Sequence, residues 1–150
     1  MNPTKSLQAL SSSMGFLHKT LGVVPFRAIW REALNFLQSL LWNEVLMKER
    51  YTTLGAAQFY RDLSAIWAVI DEYIPYGSSS ALGMPKLKEA VQLLNLPTAP
   101  SGELMSISQA YDRVFQDNNE ARKVLEELGL LVISFAEARL ILQRRVEASS

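Results

Sequence analysis

Apolar residues recur every three or four positions along most of the chain, the period of an α-helix that buries one face. Leu7, Leu10, Met14, Leu17 and Leu21 form the first stripe, with Ser11, Ser12 and Ser13 between its positions, facing water. Gly22 and Pro25 break it. Pro25 suits the first turn of a following helix, where its missing N–H would have no intrahelical partner. That second helix is predicted to run to about Lys48, with a main stripe of Phe26, Ile29, Trp30, Ala33, Leu37, Leu40, Leu41 and Val45. Leu34, Phe36, Trp42 and Leu46 extend its apolar surface almost all the way round, and Trp42 falls in line with Arg31, Asn35 and Gln38 on the polar side. A helix apolar on more than one side is central in its bundle or lacks a neighbour that normally covers it.

Thr52 or Thr53 can cap a third helix ending near Tyr73, with Ala56, Phe59, Tyr60, Leu63, Ile66, Trp67, Ile70 and Ile74 inward. Pro75 stops it, Gly77 to Ser80 form a polar loop, and Pro85 starts a short helix with Leu87, Val91 and Leu94 on its inner face. Pro97, Pro100 and Gly102 make a second loop. Ser106 with Gln109, Asp117 with Glu120, and Ser134 with Glu137 have the spacing of reciprocal caps, each satisfying backbone N–H groups that a helix start leaves open. They open helices that bury Ile107, Ala110, Tyr111, Val114 and Phe115, then Ala121, Val124, Leu125 and Leu128, and then a last helix ending in Arg144 and Arg145. Gly129 is a left-handed stop. Leu130 to Ile133 is strand-like but has no second strand to pair with, and reads as a connection. The prediction is an all-α bundle of about six to seven helices.

Composition narrows the function classes. In 150 residues, 49% are apolar and 20% charged with a formal net charge of zero, which fits a folded globular chain and leaves no basic surplus for nucleic acid. There is no cysteine, which removes disulfides, zinc thiolates and cysteine nucleophiles. No segment reaches the roughly 18 to 20 apolar residues of a membrane span; the richest, Leu34 to Met47, is broken by Asn35, Gln38, Ser39, Asn43 and Glu44. The region before Arg27 carries Lys5, His18 and Lys19 but no acid, which faintly suggests a transit peptide, yet its heptad-like order reads as a helix.

Candidate chemistry is sparse. His18, the only histidine, has no carboxylate at helical spacing. Asp71–Glu72 and Glu126–Glu127 are adjacent pairs, so their side chains diverge by about 100° around a helix and cannot converge on one atom. Glu126 and Glu127 suit ion pairing with Lys123 instead. Ser78, Ser79 and Ser80 lack the glycine spacing and lysine of a phosphate loop. Arg139, Arg144 and Arg145 are interleaved with Glu137 and Glu147, and dipole capping accounts for them better than acidic lipid does. The Glu plus Glu-x-x-His set of carboxylate metal bundles is missing. No catalytic, cofactor-binding or metal-ligating residue is therefore assigned, and no cofactor or small-molecule substrate is expected. Trp30 and Trp67 read as core; Trp42, off the main stripe, and Phe36 are the candidate partner or inter-domain contacts, Trp being a frequent hot-spot residue.

The segment LWNEVLMKERYTTLGAAQFYRDLSAIWAVIDEYIP resembles the C-terminal region of the RINT/TIP family of vesicle-tethering subunits, in its fungal form. The likeness continues through GSSSALGMPKLKEAVQLLNLP, YDRVFQDNNEARKVLEELG and ARLILQRRVE, covering about Pro25 to Glu147 in order. Thr53-Leu54-Gly55-Ala56-Ala57-Gln58-Phe59, followed by Asp62-Leu63 and Ala65-Ile66-Trp67, is its most distinctive element. Two regions depart from the family pattern: the first 24 residues, and Leu130 to Phe135, where the family run passes through Thr and Pro.

The resemblance implies a non-enzymatic, peripheral protein on the cytosolic face of the endoplasmic reticulum. It would belong to a Dsl-type (NRZ-type) complex that captures COPI vesicles in Golgi-to-ER retrograde transport. Its partners would be tether-complex subunits and an ER SNARE, and its architecture the last bundle of a helical-rod, CATCHR-type tether. On that reading residues 1–24 are an amphipathic helix and residues 25–150 the C-terminal bundle of a longer architecture. The rival expectation is a stand-alone helical adaptor with no tie to membranes.

Overall fold

The computed structural model describes residues 12, 23–73 and 83–149. Among them the chain forms α1 (Val23–Glu44), a 3-10 turn (Leu46–Lys48), α2 (Thr53–Asp71), α3 (Pro85–Leu94), α4 (Ile107–Gln116), α5 (Asn118–Glu127), α6 (Phe135–Gln143) and a closing 3-10 turn (Val146–Ser149). Extended pairing among the described residues is limited to two isolated bridges, Tyr51 with Arg145 and Ser101 with Leu104, so the fold is an all-α helical bundle. Ser12 is helical and exposed, on the side where the pattern puts it. The rest of the first predicted helix, His18 and the Ser78–Ser80 loop lie outside the described residues.

The centre of the bundle is α3, α4 and α6. Leu87, Ala90, Val91, Leu93 and Leu94 of α3 are all fully buried, and α6 packs on it through Ala138, Ile141 and Leu142. Fully burying one such side chain contributes about 1.5–3 kcal/mol, so this short helix is held by packing more than by its own propensity. α4 rests on α6 and on the closing turn, α5 on α4 and α6, and α2 on α3. Within α2, Ala56, Phe59, Leu63, Ile66, Trp67 and Ile70 face inward as expected, whereas Tyr60 turns out to be about half exposed. Phe115, also expected in the core, lies at its edge against Tyr111, with ring centroids 4.4 Å apart.

The helix starts follow the capping pattern closely. Ser106 and Ser134 accept from the backbone N–H of Gln109 and Glu137, whose side chains accept the cap residues' own N–H groups. Thr52 accepts from Gly55 N–H at 3.1 Å, and Asp117 from Glu120 N–H at 2.7 Å. The Asp117 cap is one-sided, a correction to the reciprocal pair expected, because Glu120 instead binds Arg113 and Lys123. Glu127 likewise pairs with Arg113 through two 3.0 Å bonds rather than with Lys123. At the end of α5, Gly129 adopts φ +71°. Leu130 N–H then donates to Leu125 O and Gly129 N–H to Glu126 O, the two bonds of a Schellman stop.

The Leu130–Ile133 run is a connection, and its backbone is satisfied from an unexpected quarter. The Glu89 carboxylate on α3 accepts from the N–H groups of Leu131, Val132 and Ile133 at 2.8–3.0 Å. Leu130 and Ile133 turn into the core while Leu131 is 83% exposed.

Arg145 departs most from expectation. Rather than lying on the surface at the end of α6, it is 1% exposed. Its Nη1 donates to the carbonyls of Leu94 and Leu96 at 2.8 Å, its Nη2 to Thr53 Oγ1 at 2.7 Å and its Nε to Glu147 at 2.9 Å. The cation does sit at a helix C-terminus, as dipole reasoning asks, but the helix is α3. Glu147 in turn accepts from Thr53 N–H and Oγ1, and Tyr51 exchanges backbone bonds with Arg144 and Val146. One polar junction thus joins the C-terminal turn, the start of α2 and the end of α3. Arg139, also held by the fold, donates to Val114 O and to Asn118.

Candidate interaction surface

α1 carries both residues singled out from the sequence, and the structure separates them. Phe36 and Trp42 are six positions apart, which at about 100° per residue places them about 120° apart around the helix. Phe36 is 70% exposed. Trp42 is half-buried, packed against the edge of the core. It lines a cleft of about 380 Å³ with Asn35, Gln38, Ser39, Asn43, Lys86 and Glu137.

The cleft is built where α1 crosses the starts of α3 and α6. Met84, the residue before α3, makes no side-chain cap, and Gln38 of α1 supplies one by accepting from Leu87 N–H at 3.1 Å. Gly83 allows the close approach, since a Cβ there would stand 2.5 Å from Leu34 Cδ1. Lys86 and Glu137 close the opposite wall with a 3.0 Å ion pair. Burial pushes the Glu137 carboxyl up, but hydrogen bonds from Ser134 and Lys86 outweigh it and hold the group below the usual range. Charge is therefore balanced within the cleft. Its lining of an indole, three amides and a hydroxyl suits a polypeptide surface more than a free ion. Among the described residues, no group of three or more His, Cys, Asp or Glu could hold a metal.

Sequence periodicity misplaced parts of the α1 stripe. Trp30, Leu34 and Leu41 are buried, so Leu34 belongs to the core, while Ile29 and Leu40, assigned to the main stripe, are 41% and 45% exposed. The helix also ends at Glu44 and tightens into a 3-10 turn before Lys48. Two apolar faces on one helix read alike in sequence; only the position of α3 decides which one is covered.

The sequence did not point to a second apolar crevice, of about 270 Å³, formed by Leu93, Leu96, Leu104, Leu128 and Leu130 with Gln92 and Asn95. Its walls come from three separate stretches of chain, each unremarkable alone. No helix among the described residues is long and apolar enough to cross a membrane.

No curated protein and no solved structure matches the chain. A family model does, over residues 2–145, so residues 2–24, expected to depart from the family pattern, are matched along with the run of motifs from Pro25 to α6. With an all-α bundle and nearly its full length matched, the chain belongs to the RINT-1/TIP-1 family, a family of tethering proteins.

Proposed function

We propose that the chain is a non-enzymatic tether domain acting in Golgi-to-ER retrograde transport of COPI vesicles. It works by protein–protein binding on the cytosolic face of the endoplasmic reticulum. The observation that carries this reading is the family match across residues 2–145. Its partners are an ER SNARE and subunits of a Dsl/NRZ-type complex. Residues 25–150 act as the C-terminal bundle of a CATCHR-type architecture, preceded by the amphipathic residues 1–24.

Contact with partners runs through α1. Trp42 is the anchor, because it combines a fixed indole with a polar cleft where an incoming helix can find both burial and hydrogen bonds. Phe36 marks a second, separate contact face. Live-cell imaging of the fluorescently tagged chain tests the setting. An endoplasmic-reticulum pattern is expected, and a signal spread evenly through cytosol or nucleus would favour an adaptor with no membrane role.

A further inference from the structure

We propose that the apolar crevice beside Leu104 receives Leu131 of a second copy of this chain, in a two-fold pair that exchanges leucines. Leu131 is 83% exposed, more than any other large apolar side chain among the described residues. Its backbone is fixed nonetheless. Glu89 on α3 accepts from its N–H at 3.0 Å and from those of Val132 and Ile133, so the leucine is held out from a clamped connection. A contact group already held in place loses little freedom on binding, which lets a small surface gain affinity.

The hole lies next to this knob. Leu130 turns inward to wall the crevice, and Leu131, the next residue, turns outward beside it. The crevice, of about 270 Å³, is formed by Leu93, Leu96, Leu104, Leu128 and Leu130, and its two polar lining residues, Gln92 and Asn95, are uncharged. An aliphatic side chain suits it better than an ion. A knob and a hole side by side on one surface are what a two-fold interface requires, because each copy must offer both halves of the contact.

Charge selects a second copy over another apolar guest. Lys88 stands one turn before Gln92 and adjoins Glu89, at the Leu131 end of the patch. Glu103 adjoins Leu104, at the crevice end. Both are exposed, and neither enters an ion pair among the described residues. A two-fold axis between knob and hole lays the Leu131 end of one copy over the crevice end of the other. Lys88 then meets Glu103 of the second copy, and the reverse contact forms across the axis. The patch is small, so the pair belongs with weak, transient contacts that bury less than about 1,200 Å² in total.

Sedimentation velocity of the intact chain from about 1 μM to about 1 mM should show a reversible monomer–dimer equilibrium. Leu131→Asp should weaken it about tenfold or more, and Phe36→Ser, on α1, should leave it unchanged. Lys88→Glu and Glu103→Lys should each weaken it about threefold, and the two together should restore the original constant. All four positions are exposed, and circular dichroism checks that each variant folds. A folded chain that stays monomeric throughout would overturn the inference. So would a dimer that keeps its constant in Leu131→Asp or loses it in Phe36→Ser, which would put the contact elsewhere. Charge reversals that fail to compensate one another would overturn the two-fold arrangement.

Discussion

Arg145 shows how much one side chain can do in a small bundle. A cation removed from water is costly unless every donor is used, and all of its nitrogens reach an acceptor: two helix-end carbonyls, a hydroxyl and a carboxylate. Replacing it leaves the Leu94 and Leu96 carbonyls and Glu147 without that partner. Arg145→Met keeps the aliphatic stem and should lower stability by about 2–5 kcal/mol, because it leaves two buried carbonyls unsatisfied at roughly 1–3 kcal/mol each, read as a fall in the denaturation midpoint. A loss under 1 kcal/mol would mean that the junction is replaceable. The sequence placed a cation near a helix end correctly but assigned it to α6. Nothing local in the sequence reveals that the chain folds back to bring Arg145 against α3 and Thr53.

At the scale of elements, helix existence and caps were readable because they rest on contacts within four residues. Ser106, Asp117 and Ser134 each cap the helix they precede, and Gly129 ends α5 in the left-handed region. What was not readable is how elements meet: Gln38 capping α3, Glu89 holding the connection before α6, and the choice between two apolar faces of α1 all join residues more than forty positions apart or on separate helices. The junction of the C-terminal turn with α2 also sets a pH dependence. Burial pushes the Glu147 carboxyl up, but hydrogen bonds from Thr53 and Arg145 outweigh it and hold the group at about 2 against an ordinary 4.5. A carboxyl depressed on folding stabilises fully above its unfolded value, so this contribution is present above pH 4.5 and lost as pH falls towards 2. Tyr51 in the same junction is pushed up to about 12, chiefly by burial and secondly by Glu49. Its contribution is therefore present below pH 10 and lost as pH rises through 12. Denaturation midpoints measured against pH should show a plateau between these limits, with the acid limb shallower in Glu147→Gln. An unchanged acid limb in that variant would place the acid sensitivity elsewhere.

At the scale of the molecule, fold and family were legible because both are written along the whole chain, in period and in collinear motifs. The candidate surface was legible only as an anomaly, a helix with too many apolar sides. Trp42 and Phe36 emerged together from that anomaly, yet they occupy different faces and different surroundings, one lining a polar cleft and one exposed. The most direct test of the tethering account is a quantitative pulldown from detergent-solubilised ER membranes and cytosol, using the intact chain and Trp42→Ser as baits. The account predicts that an ER SNARE or tether-complex subunits are recovered with the intact chain and reduced at least tenfold with Trp42→Ser, while circular dichroism shows both baits folded. Recovery of no SNARE or tether subunit by the folded intact chain, or equal recovery by both baits, would contradict it.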